Sequence, residues 1–164
     1  MQYNPSVAVL IKIPNKTNIN SGKKSVMIVN LVELEKAIVE FYENGIVHVI
    51  YKEGVTIDTD LHRELKQVYA DNGHEQVTKL LISSQDFISA EKIFWDYCKK
   101  SERFAKGQMV AVVAPTLAKR LLASNYLLIY KPSNPYRIFE NHHQAVSWLT
   151  SATSIFMFAQ NSIN

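Results

Sequence analysis

The chain has 164 residues, 47% of them apolar and 20% charged, with a formal net charge of +3. That balance fits one soluble globular domain with a real core and is too short for two. The charge is too slight for a nucleic-acid surface, which needs a basic stripe. The single cysteine, Cys98, excludes an internal disulfide and a cysteine-rich metal site.

The opening segment MQYNPSVAVLIKIPNK lacks the positive n-region of a secretory signal, and Lys12 and Pro14 close its short apolar run. No apolar run approaches the ~20 residues of a membrane span. The expected location is therefore the cytoplasm. Residues 1–26 read as an arm or an edge strand: SVAVLIKIP suits one strand and NKTNINSGKK a polar linker. Met27 is an alternative natural start. The main domain is expected over 27–150, with a C-terminal tail over 151–164.

In KAIVEFYENGIVHVIYKEG, two alternating β-branched and aromatic runs flank Asn44-Gly45. A type I′ turn is expected there, joining antiparallel strands over 36–43 and 46–52. A helix follows, capped by Asp58 or Thr59, with Leu61, Leu65, Val68 and Tyr69 on one face and Asn72-Gly73 as its stop. VTKLLIS suits a strand buried on both faces. Ser89 is placed as the cap of a second helix carrying Ile93, Phe94, Tyr97 and Phe104 on its apolar side. QMVAVVA is another buried strand. Pro115 is placed in the first turn of a third helix, whose Leu117, Leu121 and Leu122 are expected to face inward. YRIF is a short strand. Asn141 then caps a last helix, with Gln144 three residues on and Ala145, Trp148 and Leu149 as its inner face. A hairpin followed by alternating helices and strands implies an α/β fold with a mixed sheet.

The segments ENGIVHVIYKEGVTID, KLLISSQDFISAEKIF, MVAVVAPTLAKRLL and NPYRIFENHHQAVSWL, in that order of elements, resemble the STAS fold of bacterial anti-sigma-factor antagonists and a group of uncharacterised bacterial SpoIIAA-like proteins. The resemblance covers about residues 36–150. It implies a regulatory module that binds another protein, of anti-sigma or kinase-like type, or itself; a homodimer is expected because the hairpin leaves a sheet edge that needs covering. STAS antagonists carry an Asp-Ser-Ser-Gly loop after the third strand, phosphorylated on the second serine. The best match puts Ser89 at the aspartate, Ala90 and Glu91 at the serines and Lys92 at the glycine. Shifting by one still leaves Ala90 at the acceptor, so the phosphoserine switch does not carry over. Glu91 can then act as a fixed negative charge at that place.

Asp86, Phe87, Ser89 and Glu91 are the expected partner-binding residues, with Phe87 either an exposed anchor or tucked under the sheet. Ser89 has a plainer reading as a helix cap, worth ~1 kcal/mol. A weaker candidate is an anion site at the third helix start, from Thr116, Lys119 and Arg120; it lacks the glycine-rich cradle of a P-loop. Adjacent His142 and His143 project ~100° apart and do not readily ligate one ion. His48, His62 and His74 have no carboxylate or cysteine cluster near them in sequence, and Cys98 reads as a buried small hydrophobe. No metal, cofactor or catalytic residue is expected. The expected function is a non-enzymatic interaction module; the alternative is a binder of a small ligand or lipid head group in a cavity between sheet and helices.

Overall fold

The computed structural model describes residues 9–11, 26–86, 88–90, 107–132 and 134–161. Nine strands and three helices lie in that span. In chain order they are β1 (Val9–Ile11), β2 (Ile28–Glu33), β3 (Ala37–Tyr42), β4 (Ile46–Tyr51), β5 (Thr56–Ile57), α1 (Thr59–Asp71), β6 (Lys79–Ser84), β7 (Ser89–Ala90), β8 (Met109–Val113), α2 (Leu117–Tyr130), β9 (Tyr136–Phe139) and α3 (His142–Asn161). Seven strands form one mixed sheet, ordered β1-β2-β3-β4-β6-β8-β9. The first four pair antiparallel and the rest parallel, as expected of a hairpin that feeds strand–helix units. β5 and β7 make a separate two-residue parallel pair.

The hairpin stands where the alternating pattern put it, but its turn differs. Three residues, Glu43 to Gly45, join β3 to β4. The Gly45 amide donates to the Tyr42 carbonyl at 3.0 Å, and Asn44 Oδ1 accepts from the Ile46 amide at 3.3 Å. Among the described residues Lys131 alone is a non-glycine with positive φ, so Asn44 does not take the conformation a type I′ turn requires. Gly45, at φ +79°, carries the left-handed step by itself. The register follows from that extra residue: Val39 faces Val49, Glu40 faces His48 and Phe41 faces Val47. β2, which the sequence pattern did not single out, covers the outer side of β3, and β1 pairs with β2 in turn. The hairpin therefore has no free edge on that side, which removes the edge as a reason for dimerisation.

The two faces of the sheet hold separate cores. One packs Val32, Val39, Phe41, Val47, Val49, Leu80, Ile82 and Val110 against Leu61, Leu65 and Val68 of α1 and Tyr126 of α2. The other packs Tyr42, Ile46, Leu81, Met109 and Ala111 against Ala145 and Leu149 of α3. α1 starts as expected: Asp58 Oδ1 accepts from the Leu61 amide at 2.8 Å, and Gly73 follows its end at φ +76°. α3 starts with Asn141 Oδ1 accepting from the Gln144 amide at 3.0 Å. It runs on to Asn161, through most of the segment expected as a tail.

α2 departs from expectation at two points. Its cap is Thr116, whose hydroxyl accepts from the Lys119 amide at 3.3 Å, so Pro115 stands just before the cap instead of in the first turn. Its leucines point outward: Leu117, Leu121 and Leu122 are 65%, 56% and 49% exposed. Tyr126 and Leu127, on the other side of the helix, meet the core instead. The helix expected over 89–106 falls mostly outside the described residues.

Gly45 offers a clean test of the turn. A Cβ there meets nothing within 4 Å, so a substitution is penalised by the left-handed backbone alone. Gly45→Ala should lower unfolding stability by about 1–2 kcal/mol, and Gly45→Asn by less, since asparagine tolerates that conformation. Urea denaturation measures both.

Candidate functional site

Side chains alternate across a strand, so Glu40 and Tyr42 on β3 share a face. His48 lies opposite Glu40, and on β6 the register partner of His48 is Leu81, with Ser83 two residues beyond it on the same face. This is the face covered by α3. Three neighbouring strands thus bring four polar side chains into the edge of the second core.

Their hydrogen bonds form a chain. His48 Nδ1 lies 2.9 Å from Glu40 Oε2, and its Nε2 lies 2.8 Å from Ser83 Oγ. The Tyr42 hydroxyl donates to the same Glu40 oxygen at 2.9 Å. His142, the first residue of α3, brings its Nε2 to 3.3 Å from the Tyr42 hydroxyl, and its ring lies 5.1 Å from that of His48. His48 is only 5% exposed. Ser83 is half-buried, and His142 is exposed as a residue while its Nε2 edge faces the cluster.

Burial alone would raise the Glu40 carboxyl, but the hydrogen bond and charge of His48 and the Tyr42 hydroxyl outweigh it and hold it below its ordinary value. Burial, then the adjacent carboxylate, pushes the Tyr42 phenol well above its own. Burial and the neighbouring His48 lower His142, with Glu40 opposing them. The cluster is therefore built around one carboxylate that stays ionised. No group of three or more metal-ligating side chains suited to an ion occurs among the described residues.

Sequence proximity does not reveal this cluster, because His48 has no carboxylate close by along the chain. Glu40 is eight residues away and directly across the hairpin. A two-residue Asn-Gly loop would have set His48 opposite Phe41 and Glu40 on the other face; the three-residue loop brings the pair together.

The contact and anion-site residues expected from the sequence are scattered by comparison. Asp86 is exposed in the bend after β6. Ser89 lies on β7, its amide donating to the Val55 carbonyl at 3.1 Å and its hydroxyl 2.9 Å from that of Thr56. Phe87 and Glu91, like Cys98, lie outside the described residues. Thr116 is used as the cap of α2. Lys119 Nζ donates to the Ser84 carbonyl at 3.2 Å, and Arg120 donates to the Pro115 carbonyl at 3.1 Å and pairs with Glu140 at 3.4 Å.

The model of a family described as a domain of unknown function (DUF7793) matches residues 40–153, well over half of the chain. The chain belongs to this family. The matched span of the DUF7793 domain opens at Glu40 and takes in every member of the polar cluster, leaving β1 and β2 outside it. No curated protein matches the chain. No solved structure matches it either. No helix among the described residues is long and apolar enough to cross a membrane.

The lowered His142 has a sign-defined consequence. Its neutral form is favoured by folding, so the unfolded chain binds the proton more readily. Stability is then full above the ordinary histidine value of about 6.5 and falls as pH drops through the lowered folded value. Proton NMR titration should show His142 titrating below free histidine, and denaturation midpoints should decline from pH 7 to pH 5. His142→Gln should remove much of that slope.

Proposed function

We propose that this domain is a STAS-like protein-interaction module, working without a phosphoserine switch. What supports the reading is the outward apolar ridge of α2. Leu117, Leu121 and Leu128, the last 71% exposed, fall within about 40° of one another on a helix that turns ~100° per residue. Single exposed leucines are ordinary, but three in one stripe are an unpartnered face among the described residues.

The start of the same helix lies near the expected contact loop. The bond from Lys119 to the Ser84 carbonyl ties the start of α2 to the carboxyl end of β6, where Asp86 is exposed. Interaction modules of this kind read a partner with an apolar anchor ringed by polar groups. Here the leucines supply the anchor, Lys119 and Arg120 stand in the first turn of the same helix, and Asp86 is exposed in the bend after β6. The partner is another protein, and a second copy of the chain is the other occupant that the test separates.

The test is the double variant Leu117→Asp, Leu121→Asp. Both positions are exposed, so stability should change by no more than about 0.5 kcal/mol. Sedimentation velocity should show any dimer dissociating, and affinity capture should lose the partners that the wild type retains. A variant that keeps the wild-type oligomeric state and the same captured set would refute the ridge as the contact surface.

A further inference from the structure

We propose that Ser83 is an activated nucleophile, with His48 as its general base and Glu40 holding that base in place, forming an acyl-transfer site for small carboxylic esters at the carboxyl end of β6. The hydroxyl, the imidazole and the carboxylate stand in line, at 2.8 Å and 2.9 Å, and use both ring nitrogens of one histidine. Nucleophilic serine chemistry requires this order: a base within hydrogen-bond reach of the hydroxyl and a third group that orients the base.

The neighbours define the protonation pattern. The Tyr42 hydroxyl also donates to Glu40 Oε2, so the carboxylate is fixed by two donors from two strands. In the neutral form of His48 that acts as base, Nδ1–H donates to the ionised Glu40 and the Nε2 lone pair is left to accept the Ser83 proton. His48 is buried and its orientation locked, while Ser83 is half-buried at the end of its strand. A shielded base beside a reachable hydroxyl is the distribution a reaction needs. Ligands of open α/β sheets bind outside the carboxyl ends of the strands. α3, a 20-residue helix, starts at His142 beside the cluster and adds the positive potential of its N-terminus there. A purely structural role would be served as well by apolar side chains of similar volume, which carry no desolvation cost.

In the step itself, Ser83 Oγ bonds to the ester carbonyl carbon and its proton moves to His48 Nε2. The bond to the leaving alkoxide breaks, and that oxygen takes the proton from His48. Water then repeats the sequence on the acyl-serine, giving the carboxylic acid and restoring Ser83. Glu40 stabilises the transient imidazolium and is not itself protonated.

The experiment treats the full chain with a fluorophosphonate probe and with p-nitrophenyl acetate, and locates any adduct by intact mass and peptide mapping. The expected result is one adduct, on Ser83, with release of p-nitrophenol. Ser83→Ala should abolish both, and Glu40→Gln should slow acylation on the order of 10²- to 10⁴-fold. Ser84→Ala, which alters the opposite face of the strand, should react like wild type. An unlabelled wild-type chain, or an adduct mapped to any other residue, overturns the proposal. That mapping needs only the wild type, so it decides the matter even if a variant does not fold.

Discussion

Three residues join β3 to β4, and Gly45 takes the left-handed step that closes their loop. Most of what is distinctive in this domain depends on that loop. A strand has a side-chain period of two, so the loop length decides which side chains share a face as well as which residues pair. With this loop, Val39, Phe41, Val47 and Val49 meet the core under α1, while Glu40, Tyr42 and His48 meet under α3. β6 then pairs with β4 in parallel and adds Ser83 to the polar side. One glycine conformation thus separates an apolar face from a face that carries the polar cluster.

The polar face is costly to build. A histidine that is 5% exposed and a largely covered carboxylate both lose hydration, and each missing partner would cost on the order of 1–3 kcal/mol. The network answers that cost by sharing: Glu40 accepts from two side chains, and both His48 nitrogens are engaged. Such networks are worth keeping when every member is satisfied and harmful when one is lost. His142 enters from α3 and brings a second imidazole near the first, so the docking of that helix and the charge of the cluster are coupled.

α1 and α2 lie on the same face of the sheet but meet it differently. α1 presents Leu61, Leu65 and Val68 to the sheet and is an ordinary amphipathic helix. α2 is apolar around much of its circumference and meets the core through Tyr126 and Leu127. Its remaining leucines are left for solvent or a partner. Helical spacing could not rank these faces, because Leu117, Leu121 and Leu122 are as apolar as the residues that are buried.

The sequence by itself determined the hairpin, α1 with its cap at Asp58 or Thr59, the strands β6, β8 and β9, the cap at Asn141 and the mixed sheet, because these follow from local propensity and from periodicity over a few residues. It did not reveal β2, whose IVNLVE run stood outside the recognised pattern, nor the direction in which α2 points. The tertiary structure alone decided that Glu40, His48 and Ser83 form one chain of hydrogen bonds. Those residues lie on three strands, and their meeting depends on a turn conformation and two strand registers. An Asn-Gly dipeptide is compatible with either loop length, so local sequence leaves the register open; the packing of two opposite cores selects the one that unites the cluster.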